Sequence, residues 1–270
     1  MPTAHIPALH LAEAAAETLG LRTAPEHVTG RKGADIWHLE NWAVKTAVPG
    51  ARGHLDHEAA VYDLLHRQGL RPGSQSGYGD AGRWLAIPWL DGSSIWDLFA
   101  PARNGTATPA EREGMRRAAD AMFDALHQLH AAGWLHGDVQ PENAVVLPDG
   151  HVEFIDYDLA HHPDLPLPFP YRAGLVHVIS PHIARQLAAT GEDEAVTCTP
   201  QDDRHAAGAG LSWAWTGHWP TAYRGPDDGP HADLFQDIAA GRRRDITADR
   251  PWPDPHLEGL ITAATRGCDR

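Results

Sequence analysis

The order of patterns along this chain predicts an α+β protein of two unequal lobes. Short runs that read as strands come early, while apolar stripes at helical spacing come late. A chain of 270 residues with 42% apolar content is long enough to give each part its own core. The boundary is expected after Asp91, giving lobes at 1–91 and 92–270.

Residues 10–19, rich in alanine, read as a leading helix. Val28-Thr29-Gly30-Arg31-Lys32-Gly33 then leads into Asp35-Ile36-Trp37-His38-Leu39. A turn at Glu40-Asn41 follows, then Trp42-Ala43-Val44-Lys45, so two short alternating runs predict a hairpin. Glu58, Val61, Tyr62 and Leu65 recur at helical spacing within a helix expected over 56–68, which Gly69 ends. Residues 83–90 read as a buried strand whose end leaves the ladder at Pro88. Asp91-Gly92 breaks the chain before a short helix at 94–99, and 101–107 read as loop. Thr108-Pro109-Ala110-Glu111 carries a helix start with a capping-box pair and an early proline. Met115, Ala119, Met122, Leu126 and Leu129 extend it as one apolar stripe. Beyond residue 156 the pattern predicts helix and loop.

Composition narrows the function classes. With 22 Lys+Arg against 36 Asp+Glu, the formal net charge of −14 argues against nucleic acid as a main partner. No window approaches the length of a membrane span, and the first residues lack the basic-then-apolar pattern of a secretory signal. Cys198 and Cys268, far apart and without metal-ligand spacing, fit a cytoplasmic location better than a disulfide framework. The nineteen histidines are scattered, so a zinc site built from them is not expected.

The chemistry concentrates in His136-Gly137-Asp138-Val139-Gln140-Pro141-Glu142-Asn143, followed by Phe154-Ile155-Asp156-Tyr157-Asp158. Phosphoryl transfer requires a carboxylate beside the attacking hydroxyl and oxygen ligands for the metal that grips the phosphates. The first segment supplies a carboxylate and an amide from one loop. A short hairpin around Pro148-Asp149-Gly150 would return the chain so that Asp156 faces them.

On these residues the chain resembles the protein-kinase superfamily, in particular bacterial eukaryotic-like Ser/Thr protein kinases, with a catalytic loop like that of the aminoglycoside phosphotransferases. The resemblance runs in order over about residues 26–270. It implies a protein-kinase-like two-lobed fold, with a small β-rich N-lobe and a larger helical C-lobe, and an enzyme using ATP and Mg²⁺. Asp138 is implied as the catalytic base, Asn143 and Asp156 as metal ligands, and Lys45 as the phosphate-binding lysine paired with Glu58. Gly30 and Gly33 resemble the glycines over the nucleotide. Ile87, Pro88 and Leu90 resemble the gatekeeper and hinge around the adenine. Residues 174–182 resemble a substrate-docking segment, 203–217 a large buried C-lobe helix, and 260–270 the last helix with its closing Arg270.

Several positions differ from the family pattern. Gly137 stands in place of the arginine that senses a phosphorylated activation segment, and Gln140 replaces a lysine. Tyr157-Asp158 replaces Phe-Gly, so Asp158 is either a second metal-side carboxylate or solvent-facing. Leu175 replaces the docking threonine, and His182 the glutamate that pairs with the closing arginine. The layout of 174–217 implies a Ser/Thr-type hydroxyl on a protein or peptide as acceptor. His-Gly-Asp and Gln140 favour a small-molecule hydroxyl, such as that of an aminoglycoside-like antibiotic. A nucleotide-binding protein without turnover is the third reading.

Overall fold

The computed structural model describes residues 6–31, 34–48 and 52–266. The chain divides into two compact units, Met1–Leu90 and Asp91–Arg270. The first is β-rich and the second larger and helical, the α+β composition of a protein-kinase-like fold.

In the first unit, α1 (Ile6–Leu19) begins four residues before the helix expected from alanine content. Pro7 lies in its first turn, where a missing N–H breaks no helical bond. Five strands follow: β1 (Glu26–Arg31), β2 (Ala34–Leu39), β3 (Trp42–Ala47), β4 (Gln75–Gly79) and β5 (Gly82–Pro88). They form one antiparallel sheet in the order β1-β2-β3-β5-β4. The expected hairpin is β2–β3, with Glu40 in the left-handed region at φ 51°. Residues 28–31, expected only as a lead-in, belong to β1, and Thr29, Gly30 and Arg31 pair with β2 after a register shift at Val28. β4 gave no sequence signal because Gln-Ser-Gly-Tyr-Gly does not alternate. Its Gly77 is required by packing: a Cβ there would sit 2.7 Å from the Trp84 ring. Ala8, Leu11, Ala12 and Ala15 of α1 bury one sheet face together with Trp37, Leu39, Val44 and Trp84. α2 (Arg52–Arg67) carries Glu58 and ends before Gly69, whose φ of +73° closes the helix.

The second unit opens with β6 (Ser93–Ser94) and α3 (Ile95–Leu98). Ser94 is therefore the cap of that helix, accepting from Asp97 N, and not its first turn. Part of the stretch expected as loop forms α4 (Ala100–Arg103). α5 (Pro109–Ala131) has the expected capping box of Thr108 and Glu111, and buries Met115, Ala119, Met122, Leu126 and Leu129. β7 (Ala144–Val146) and β8 (Val152–Phe154) make the expected short hairpin, and β6 adds to it. The rest is helical: α6 (Pro181–Ala189), α7 (Pro200–Thr216), α8 (His231–Ala239), α9 (Ile246–Asp249) and α10 (Pro255–Thr265). Arg270 lies outside the described residues. Among the described residues, no helix is long and apolar enough to cross a membrane.

α7 is the buried axis of this unit, with Ala207, Leu211, Ala214 and Trp215 fully enclosed. Gly208 lets α10 approach: a Cβ at this position would lie 2.6 Å from the Ala264 side chain. Gly208→Ala gains helix propensity but overpacks this contact, and overpacking dominates, with an expected loss of about 1–2 kcal/mol. Gly114 in α5 has open space around its Cβ direction, so Gly114→Ala should stabilise by about 0.5–1 kcal/mol. Denaturant unfolding of the two variants should move the midpoint in opposite directions.

Candidate active site

In the N-terminal unit, Lys45 sits mid-strand on β3 between Ile36 of β2 and Leu85 of β5. Strand alternation sends the neighbouring Val44 into the α1 face and Lys45 to the other. There its Nζ lies 2.8 Å from Glu58 Oε2 on α2, and the glutamate is only 2% exposed. A carboxylate this buried requires a cation, so the pair fixes the lysine head at one point. Gly30 pairs with Asp35 at the open end of the β1–β2 ribbon, and a Cβ on it would overlap the Asp35 carboxylate. Gly33 lies outside the described residues. Ile87 and Pro88 end β5 opposite Ala43 and Trp42, and both are half-buried, as is Leu90. The intervening Trp89 N–H donates to Asn41 O at 2.7 Å, while its ring packs on His38.

In the C-terminal unit, the loop 136–143 is held by its backbone. Asp203, 2% exposed on α7, accepts from His136 N at 2.8 Å and from Gly137 N at 3.0 Å. His130 Nε2 lies 3.1 Å from the same carboxylate. The His136 ring accepts from Asp138 N at Nδ1 and reaches the Ile155 carbonyl with Nε2, a pattern that assigns the proton to Nε2. Gly137 has φ +77°, its carbonyl accepts from Tyr171 OH, and a Cβ would press on the Leu159 carbonyl. Only glycine meets all three demands at this position.

This anchoring delivers Asp138 into a ring of donors. Gln140 Nε2 donates to Oδ2 at 2.9 Å, Asn143 Nδ2 reaches the same oxygen at 3.3 Å, and Leu175 N donates to Oδ1 at 2.9 Å. Gly174 passes so close that a Cβ would overlap the carboxylate, and Ala173 before it holds a strained φ of 70°. The segment is secured by His177, which stacks on Trp219; Trp219 in turn stacks on Trp213, and Trp213 packs at a tilt on Trp96, with Arg103 over the last ring.

Asn143 spends its amide hydrogens on the Asp138 backbone and side chain, leaving its amide oxygen as a hard ligand. The hairpin brings Asp156 beside it: Ala144 pairs with Phe154, and Ile155 N donates to Asn143 O at 2.9 Å. Asp156 holds φ 64° and ψ 63°, an unusual conformation for a residue other than glycine. One carboxylate and one amide oxygen suit Mg²⁺, which keeps few protein ligands and completes its shell with water and phosphate.

Burial pushes the Asp138 carboxyl up to about 6, opposed by the Leu175 N–H and reinforced by the nearby Asp156 charge. The residues that hold Asp138 in place, Asp203, Tyr171 and Gly174, were given no such part in the sequence reading. The capping pattern Thr199-Pro200-Gln201-Asp202 was the available signal for the start of the helix that carries Asp203. His182, which stands where the family pattern has the glutamate that pairs with the closing arginine, has Nδ1 3.0 Å from Asp202 Oδ2, and Arg270 lies outside the described residues.

No family model matches the chain. Over 77 residues, 28% of its length, it is 31% identical to the putative cyclin-dependent kinase F-2 of Oryza sativa subsp. japonica. The match spans 23% of that rice protein, less than a quarter of its length. The likeness indicates a protein-kinase-like relationship over that stretch.

The raised Asp138 proton affinity has a definite sign. The folded chain binds this proton more tightly than the unfolded chain, so the group's contribution to stability is fully present below about pH 4 and is lost as pH rises through about 6. Carboxyl ¹³C NMR of the protein without added Mg²⁺ should find the Asp138 midpoint near 6, and a lower midpoint in Asp156→Asn. An unchanged midpoint in the variant would mean that Asp156 does not act on Asp138.

Proposed function

We propose that this chain is an ATP-dependent phosphotransferase that moves the γ-phosphate to a hydroxyl, and that the acceptor is a Ser/Thr-type hydroxyl on a protein or peptide. The observation that carries this reading is the Asp138 carboxylate, buried and oriented by Gln140, Asn143 and Leu175, with Asn143 and Asp156 adjacent on one hairpin. The Lys45–Glu58 pair supports it independently.

In this mechanism Asp138 orients the acceptor hydroxyl and accepts its proton as the oxygen bonds to the γ-phosphorus. The bond from that phosphorus to the β,γ-bridging oxygen breaks in line, and its electron pair leaves with ADP. Lys45, held in place by Glu58, neutralises the α- and β-phosphates. Asn143 and Asp156 would hold Mg²⁺, which supplies charge neutralisation on the phosphate oxygens. The chain's own task is orientation and charge placement, the terms that dominate this chemistry. Because the hydroxyl's proton goes to a carboxylate titrating near 6, activity should fall as pH drops below that value.

A small-molecule acceptor is the second reading. It is favoured by Gln140, which bonds Asp138 where a protein kinase places a lysine, and by Leu175, which offers only its backbone N–H. Transfer from γ-labelled ATP to a casein-type protein, a peptide library and a panel of cationic antibiotics separates the two. Label on protein or peptide hydroxyls is the expected result; label only on antibiotics reverses the acceptor assignment. Asp156→Ala should slow transfer by on the order of 100-fold or more and weaken Mg-ATP binding in calorimetry, with the fold retained. Unchanged Mg-ATP affinity would place the metal elsewhere.

A further inference from the structure

The C-terminal unit uses its large aromatic side chains in two ways. Trp134 and Trp215 are fully enclosed and fill the core. Trp96, Trp213 and Trp219 are only half-buried, and with His177 they form one continuous stack. Ring centroids are 4.0 Å apart from His177 to Trp219, 4.2 Å from Trp219 to Trp213 and 4.1 Å from Trp213 to Trp96. Arg103 closes the far end, its guanidinium 3.6 Å from the Trp96 ring centre and its Nη1 donating to Ala214 O at 2.8 Å. At the near end, His177 Nδ1 lies 2.9 Å from the Tyr223 hydroxyl. Rings whose faces are covered but whose edges stay wet stabilise the core less than enclosed ones, so the stack acts chiefly on geometry.

Local chemistry puts Trp219 in the middle. Gly217 ends α7 at φ 76°, and Thr216 Oγ1 accepts from His218 N at 3.2 Å. The chain folds back there, so Trp219 has Trp213 on one face and His177 on the other. His177 lies in the 3₁₀ turn Val176–Val178, in which Val178 N donates to the Leu175 carbonyl at 3.2 Å. Leu175 gives its own N–H to Asp138 Oδ1 at 2.9 Å. Two residues earlier, Ala173 holds φ 70°, a strained conformation that persists only where neighbours impose it. The stack is such a restraint, and it ends two residues from the Leu175 N–H.

We propose that Trp219 is a positioning residue for Asp138: held between Trp213 and His177, it fixes the Val176–Val178 turn and so keeps the Leu175 N–H on the carboxylate. As a statement about phosphoryl transfer this rests on the role given to Asp138 above. As a statement about the 173–175 segment it stands alone.

Two measurements on the full chain test it. Amide hydrogen exchange at Leu175 reads the bond to Asp138. Trp219→Ala should speed that exchange by on the order of ten-fold or more while the amides of α5 keep their protection. Trp219→Phe, which keeps a ring between its neighbours, should restore most of it. His177→Ala and His177→Phe should repeat the pattern, and the two alanine changes should be non-additive in a double-mutant cycle. Should Trp219→Ala fail to fold, the His177 variants, at the end of the stack, decide. In single-turnover transfer to whichever acceptor the parent labels, both alanine variants should be slower by on the order of ten- to 100-fold, with Mg-ATP affinity nearly parental and recovery in the phenylalanine variants. Parental Leu175 exchange in a folded alanine variant, equal acceleration in α5, no recovery with phenylalanine, or parental transfer despite faster exchange would each overturn the proposal. A parent that labels no acceptor would remove the proposed function and leave the exchange data to decide the positioning.

Discussion

The buried carboxylate of Asp203 is the constraint on which the C-terminal site rests. Its bonds run to the backbone of His136 and Gly137, not to their side chains, so the loop is fixed in space while its side chains stay available for other contacts. Hydrogen bonds to a charged group contribute about 1.5–3 kcal/mol each, and a carboxylate at this depth without them would cost several. The helix carrying Asp203 is fixed in turn by close approach. Gly208 admits α10, and Gly210 admits Pro141 of the 136–143 loop itself, where a Cβ would lie 2.8 Å from the proline ring. The Thr199–Asp202 capping box sets where that helix begins, at Pro200, three residues before Asp203. Helix start, helix packing and loop anchor are one connected arrangement.

Asp138 inherits its properties from that arrangement. Held from below through His136 and Gly137, it meets the 173–175 segment from above at a distance only glycine permits. The same crowding that removes water raises its proton affinity, while three donors keep the carboxylate in one orientation. A carboxylate so placed combines a basicity near neutral pH with a fixed direction, the two properties required of a group that takes a hydroxyl proton. Ala173 carries the backbone strain that brings the segment down, of order 1–2 kcal/mol, which the aromatic stack beginning at His177 offsets.

The sequence disclosed those parts of the molecule whose chemistry is local. The β2–β3 hairpin, the long α5 with its capping box and the loop from His136 to Asn143 were legible because period, cap and residue type agree within a few positions. β4 was not, since its Gly-rich stretch is a strand only because Trp84 occupies the space a side chain would take. α4 was missed because Asn104, Gly105 and Thr106 gave the preceding turn the look of a loop. Asp203 and Tyr171 were silent for a different reason: their roles consist of bonds across 66 and 34 residues of sequence, which no local pattern records.

The central claim is that Asp138 acts on the acceptor and not merely on its own loop. The most direct measurement compares Asp138→Asn with the parent in single-turnover transfer and in Mg-ATP affinity on the same preparation. A lost base slows transfer by on the order of 100-fold or more while nucleotide affinity is nearly kept. A folded Asp138→Asn protein that transfers phosphate at the parental rate would contradict the account.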